Sequence, residues 1–89
     1  MNSFNNLKIG DIIYEIIDNR FYKNTIIEII PYSSHLNFRL QDQNGYIWNI
    51  GILKDTINNA IDYLSKFHLL IADKKVFYDL CRNDFVIYK

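Results

Sequence analysis

The first half of the chain alternates short, isoleucine-rich apolar runs with polar breaks. The runs IIYEII and TIIEII are short, rich in β-branched residues and bracketed by Gly, Asp, Asn and Pro, which favours β-strands at about 11–17 and 21–30. The isoleucines of the first run also fit one face of a buried helical turn, which is the alternative. The polar segment DNR predicts a tight turn between the two strands, and Pro31 is expected to end the second strand.

Both runs carry apolar residues on the two faces of the pleat, interrupted only by one Glu in each run. A strand that is apolar on both sides must be covered on both sides. A helix further along the chain is expected to cover one face. The other face is expected to be covered by closure of the sheet into a barrel, by the C-terminal segment or by a second protein.

The segment RLQDQNGYIWN predicts a β-hairpin with Asn-Gly at its tip. A two-residue turn would place Gln41 opposite Trp48 and mix polar with aromatic side chains on one face. A three-residue loop over 43–45, with Gly45 left-handed, instead pairs Leu40 with Trp48 on an apolar face. Because the buried face sets the register, we predict the second pairing, with Trp48 in the core. The other pairs of this register are Asp42–Tyr46, Phe38–Ile50 and Leu36–Ile52.

The opposite face of this hairpin is the one expected to meet water or a partner. Its polar end and the preceding loop, PYSSH, supply side chains that the core does not need. Exposed Tyr and Arg are favourable anchors at protein interfaces. The residues predicted to contact a protein partner are Tyr32, His35, Asn37, Arg39 and Asn49.

The next segment, KDTINNAIDYLSKFHLLIADKK, has the clearest helical periodicity in the chain. Apolar residues recur at steps of three and four, which predicts one long helix over about 55–71, packed across the sheet. Asp55 is the predicted N-cap, and Lys74 and Lys75 suit the C-terminal end of the helix dipole. The predicted apolar stripe consists of Ile57, Ala60, Ile61, Leu64, Phe67, His68 and Ile71.

The C-terminal segment, KKVFYDLCRNDFVIYK, permits two interpretations. Val76, Tyr78 and Leu80 occupy alternate positions, and CRND is a good turn before FVIY, which favours a second hairpin. A short helix over 75–81 is the alternative.

The composition predicts one domain over residues 1–89, since 49% of its residues are apolar and 16% aromatic. Ten basic and ten acidic residues cancel, so no long-range field favours nucleic acid or an anionic membrane. One cysteine permits no internal disulfide, the opening MNSFNNLKIGD lacks the features of a signal peptide, and no apolar run is long enough for a membrane span. We therefore expect a cytoplasmic protein.

Cysteine and histidine offer two kinds of chemistry. Cys81 with His35 or His68 could form a nucleophile and its base, but no known signature surrounds Cys81, and a buried or half-buried packing role is expected. These three residues also lie too far apart in sequence to indicate a metal site. His68 is expected to be a core-edge histidine with a hydrogen-bond partner.

Two carboxylates interrupt the apolar strands. Glu15 and Glu28 could approach each other and do acid–base chemistry. Because carboxylates are rarely buried unless paired, each is expected instead to face water or to pair with Arg20, Lys23 or Arg39. We therefore expect no enzyme activity, no cofactor and no metal.

The opening LKIGDIIYEI, followed by the DNR turn and IIEII, resembles the start of small SH3-like barrel proteins of phages and low-GC bacteria. The resemblance covers roughly residues 7–50 and rests on Gly10-Asp11 followed by an apolar strand. Small phage proteins of this kind include inhibitors of host defence systems, anti-CRISPR proteins among them. The resemblance thus implies an SH3-like sheet and suggests a role in inhibition.

Together these features predict an α+β domain, in which one long helix packs on a bent, SH3-like antiparallel sheet of four to five strands. The expected function is a non-catalytic protein-binding module, such as an inhibitor that occupies the functional surface of a larger protein. A small barrel that binds nucleic acid is the second hypothesis. The third is a self-associating structural subunit, such as a homodimer.

Overall fold

The computed structural model describes residues 2–82 of the chain. Within this range the elements are a 3₁₀-helix (Phe4–Asn6), β1 (Ile12–Ile17), β2 (Arg20–Pro31), β3 (His35–Gln41), β4 (Ile47–Leu53), β5 (Ile61–Ser65), β6 (His68–Ile71) and α1 (Lys74–Arg82). The six strands form one antiparallel sheet in the order β4-β3-β2-β1-β6-β5, curled into a half-barrel. A bent antiparallel sheet with a helix is therefore confirmed, but the sheet has six strands instead of the predicted four to five.

The first two strands form the predicted hairpin. Asp18 and Asn19 make its two-residue turn with φ angles of 47° and 66°, a left-handed conformation that short polar side chains tolerate and that matches the strand twist. β2 runs from Arg20 to Pro31, so it starts one residue earlier than the predicted 21–30, within the predicted DNR turn, and ends at the proline that was expected to end it. A bulge between Ile26 and Glu28 interrupts its pairing with β3, which increases the local twist of the sheet.

The second hairpin has the predicted loop and the predicted register. Leu40 pairs with Trp48, followed by Phe38 with Ile50 and Leu36 with Ile52. Gly45 has a φ of 86° and its N–H donates to the Asp42 carbonyl at 3.1 Å. The requirement that one face be buried was therefore sufficient to fix the pairing of β3 with β4.

The long helix predicted over about 55–71 is wrong, because this segment forms β5 and β6. β6 pairs with β1 on one side and β5 on the other, so its backbone groups join the ladders. Leu69, Leu70 and Ile71 are all completely buried, as in a strand that is covered on both faces. Phe67, which the helical pattern assigned to the apolar stripe, lies in the connecting turn and is 48% exposed.

The C-terminal segment begins with a helix, so the preferred second hairpin is wrong through residue 82 and the alternative is correct. Lys74 and Lys75 open α1 rather than following the end of an earlier helix. Asp73, not Asp55, is in the position of an N-cap, since its Oδ1 accepts the Val76 N–H at 3.0 Å. The FVIY part of the predicted hairpin lies outside the described residues.

The two faces of the sheet are covered differently. We call the side that carries Trp48 the core face and the opposite side the outer face. On the core face, Phe4 and Leu7 of the N-terminal segment pack against the apolar side chains of the curled sheet. On the outer face, α1 packs over β1 and β6, where Phe77 stacks on Tyr14 with ring centroids 4.7 Å apart. The main buried residues of the core face are Ile13, Ile26, Phe38, Leu40, Ile52 and Leu70.

Candidate functional site

The five residues predicted to contact a partner lie together on the outer face of the β3–β4 hairpin and its adjoining loop. Arg39 lies directly opposite Asn49, and Asn37 lies opposite Gly51 on the same face. Tyr32 belongs to the loop between β2 and β3, and its backbone N–H donates to the His35 carbonyl at 2.9 Å. We call this surface the hairpin outer face and define it by Tyr32, His35, Asn37, Arg39 and Asn49.

An aromatic pair forms one end of the hairpin outer face. The rings of Tyr32 and His35 stack with centroids 4.7 Å apart and planes inclined by 14°. A Cβ built on Gly51 would lie 2.9 Å from Cδ2 of His35, so the imidazole lies directly across the glycine backbone. Ser34 Oγ lies 3.0 Å from His35 Nδ1 and further orients the ring. Tyr32 remains 56% exposed, which leaves its outer surface available for contact.

A charged pair forms the middle of this surface. Nη1 of Arg39 lies 4.0 Å from Oε1 of Glu28, and both side chains are about half exposed. A pair of this kind contributes only about 0–1 kcal/mol to stability, so it costs little to redirect Arg39 toward a partner. The contact also confirms the prediction that Glu28 pairs with a basic residue.

Among the strands that residues 2–82 form, β4 lies at one edge of the sheet, and half of its backbone groups point away from its one neighbour, β3. The Asp42 N–H donates to the Tyr46 carbonyl at 2.9 Å, so these two residues form a hydrogen-bonded pair. Along an antiparallel hairpin, hydrogen-bonded pairs alternate with pairs whose backbone groups point away from the neighbouring strand. The even-numbered residues of β4 therefore bond to β3, and their side chains point to the core face. The backbone groups that face the open edge belong to Ile47, Asn49 and Gly51.

Within the described part of the chain, this edge shows none of the usual protections against further pairing. Natural edge strands are commonly kept from adding another strand by Lys, Pro, bulges or shortness. β4 is seven residues long, IWNIGIL, with no charged residue and no proline, and its pairing with β3 has no register shift. Ile47 and Leu53, exposed by 43% and 62%, border this edge on the outer face. The predicted register already places both side chains on the outer face, but the five residues predicted to contact a partner do not include them.

The prediction for Glu15 is wrong. Glu15 is only 6% exposed and lies on the core face, where its partners are His68 and Asn24 instead of one of the proposed basic side chains. Its Oε2 lies 2.7 Å from Nε2 of His68, and its Oε1 accepts a hydrogen bond from Nδ2 of Asn24 at 3.1 Å. Asn24 is completely buried and accepts the Trp48 Nε1–H at 2.9 Å through its Oδ1. We call these four residues the polar chain.

His68 and Cys81 behave largely as the sequence predicts. His68 is a core-edge histidine with a hydrogen-bond partner, although it stands on β6 rather than on a helix. Cys81 is half-buried, and burial raises the pKa of its thiol, which favours the protonated form over the nucleophilic thiolate. Among residues 2–82, no three His, Cys, Asp or Glu side chains are grouped to hold a metal ion.

No protein-family model, no curated protein and no solved structure matches this chain. Across the part of the chain that the structure describes, no helix has the length and apolar character needed to cross a membrane.

Proposed function

We propose that the protein is a non-catalytic protein-binding module and that it contacts its partner through the hairpin outer face. The observation that carries the proposal is the convergence of five side chains, four on the strands of the β3–β4 hairpin and one in the adjoining loop, on one surface. Sites on strands are held more precisely than sites on mobile loops. Arg39 and Glu28 offset each other here, so the surface suits a protein better than a polyanion.

The mode of contact that we propose is β-augmentation at β4. An extended segment of the partner would pair with the open N–H and C=O groups of Ile47, Asn49 and Gly51. The aromatic pair and Arg39 would then supply specificity beside the added strand, since Tyr and Arg are frequent energetic anchors at interfaces. Main-chain pairing and side-chain recognition would thus act on the same partner segment.

We also propose that binding inhibits a larger cytoplasmic protein by covering its functional surface. This part rests on the resemblance of residues 7–50 to SH3-like phage and low-GC bacterial proteins, some of which inhibit host defence.

The first experiment is capture of partners from a low-GC bacterial lysate by the tagged protein, with and without nuclease. The wild type is compared with Arg39→Ala and with Arg20→Ala, which removes an exposed arginine at the remote β1–β2 turn. We expect a stoichiometric protein that survives nuclease. Its affinity should fall by about tenfold or more in Arg39→Ala, as for an interface anchor, and stay unchanged in Arg20→Ala.

Thermal unfolding of the same variants separates binding from folding. Arg39→Ala should change the free energy of unfolding by no more than about 1 kcal/mol, because its ion pair is exposed. Loss of every captured protein after nuclease would instead support nucleic-acid binding. Capture only of further copies of the chain would support the self-associating subunit. Equal binding by Arg39→Ala and the wild type would contradict the proposed surface.

A further inference from the structure

A cavity of about 350 Å³ opens on the core face beside the tip of the β3–β4 hairpin. It lies on the side of the sheet opposite to the hairpin outer face, so the protein-binding proposal does not involve it. Its volume falls within the range of pockets that accept small molecules or single side chains. The residues that line this core-face pocket are Glu15, Ile17, Tyr22, Asp42, Tyr46, Trp48 and His68.

The acidic side chains of the pocket are held in place by the protein. Glu15 is almost completely buried and is fixed by Asn24 and His68. Asp42 accepts the backbone N–H groups of Asn44 and Tyr46 through Oδ1, both at 2.9 Å. Among the described residues, no hydrogen bond engages its second oxygen, Oδ2, which leaves an acceptor at the pocket.

The lining residues include no Lys or Arg. His68 is the one lining side chain that can carry a positive charge, and its Nε2 is already engaged by Oε2 of Glu15 at 2.7 Å. The carboxyl group of Asp42, with its Oδ2 not engaged, attracts a cation and repels an anion.

Three aromatic side chains complete the pocket. Trp48 is held by the hydrogen bond from its Nε1 to Asn24, which fixes the indole on the core face. Tyr22 lies directly opposite Glu15 on the paired strands, and Tyr46, 66% exposed, stands at the rim. Aromatic faces attract ammonium and guanidinium groups, most strongly where water is displaced.

We propose that the core-face pocket binds an organic cation with an ammonium or guanidinium head of the size of a Lys or Arg side chain. The cation pairs with the carboxyl group of Asp42 and lies against the aromatic rings. The source of the head group is either a free small molecule or a basic side chain of a protein.

Trp48 is the only tryptophan of the chain, so its fluorescence reports directly on this pocket. The probes are the N-acetyl amides of arginine and lysine, with the amides of N-acetyl-citrulline and N-acetyl-norleucine as neutral counterparts. We expect saturable binding of at least one cation, at least about tenfold tighter than its neutral counterpart. A tripeptide with a central Arg or Lys distinguishes the sources. If the tripeptide binds more tightly than the single amino-acid amide, the head group comes from a protein side chain. If the two bind equally, it comes from a free small cation. Both results support the proposal.

Two matched variants test whether the pocket itself is responsible. Tyr46→Leu removes an aromatic rim residue, whereas Tyr32→Leu makes the same change at a comparably exposed position on the other face. Tyr46→Leu should weaken cation binding by about threefold to tenfold, the expected loss of one cation–π contact, and Tyr32→Leu should leave it unchanged. No saturable response to either cation, equal binding of the neutral counterparts or an unaffected Tyr46→Leu variant would overturn the proposal.

Discussion

Glu15 is a buried carboxylate whose two oxygens are both used. Nδ2 of Asn24 donates to one oxygen at 3.1 Å, and Nε2 of His68 lies 2.7 Å from the other. Burying such a group is unfavourable unless it is hydrogen-bonded, and removing one member leaves the others without partners. The polar chain should therefore be more sensitive to truncation than to an isosteric change.

We predict that Glu15→Ala lowers the free energy of unfolding by about 3 kcal/mol, because it leaves the completely buried Asn24 amide unpaired. Glu15→Gln retains an acceptor for Asn24 and should cost only about 1 kcal/mol. Urea unfolding followed by circular dichroism measures both values. Equal and small losses, below about 1 kcal/mol in both variants, would show that the polar chain does not stabilise the fold.

The sequence predicted some side-chain orientations and missed others for a physical reason. The core-facing position of Trp48 followed from local alternation within one hairpin. The contact of Glu15 with His68 joins residues 53 positions apart, on strands whose pairing is not encoded locally. A buried polar residue in an apolar strand indicated that a partner must exist, but the periodicity did not identify which residue it was.

At the scale of elements, the segment over 55–71 illustrates how strand pairing overrides helical periodicity. Its apolar residues fit steps of three and four, yet residues 69–72, LLIA, also form a short continuous apolar run, as in a strand buried on both faces. Two Asn residues before β5 and the Ser-Lys pair after Leu64 provided turn signals. On the side away from β2, the backbone N–H and C=O groups of β1 need hydrogen-bond partners, which a helix could not supply. β6 supplies them by pairing with β1.

The N-terminus of α1 depends on Asp73 and gives a prediction about pH. The backbone N–H of Asn2, 2.6 Å from Oδ2, and then the N–H of Val76 lower the pKa of Asp73. A lowered pKa in the folded state means that stabilisation is present above the ordinary Asp pKa of about 3.9. It is then lost as the pH falls through the lower, folded-state value.

Asp73→Ala should therefore cost about 1 kcal/mol of unfolding free energy at pH 7, typical of a lost N-cap. The difference from the wild type should narrow as the pH falls below about 4, because protonation removes the same carboxylate from the wild type. Urea unfolding of both proteins across this range measures the difference. A difference that stays constant down to about pH 2 would show that the carboxylate charge is not involved.

At the scale of the whole molecule, each face of the sheet has a different role. The core face combines the main hydrophobic core with the polar chain and the core-face pocket. The outer face is covered by α1 over β1 and β6, while over the β3–β4 hairpin it carries exposed residues. The β3–β4 surface was predictable because it lies within one local hairpin. The α1 packing was not, since it depends on long-range strand order.

The open edge of β4 connects this architecture to the proposed function. If a partner strand adds there, its pairing requires the N–H of Asn49, which points away from β3. Asn49→Pro removes this donor without removing a bond of the β3–β4 ladder, whereas Asn49→Ala keeps the donor and removes only the side chain. The two substitutions therefore separate main-chain pairing from side-chain contact.

The most direct test is the affinity of the captured partner for the wild type, Asn49→Ala and Asn49→Pro, measured by calorimetry on variants whose thermal unfolding shows that they are folded. We predict that Asn49→Ala retains binding within about tenfold of the wild type, while Asn49→Pro loses a further tenfold or more. Equal affinities for the folded Asn49→Pro and Asn49→Ala proteins would contradict strand addition at β4.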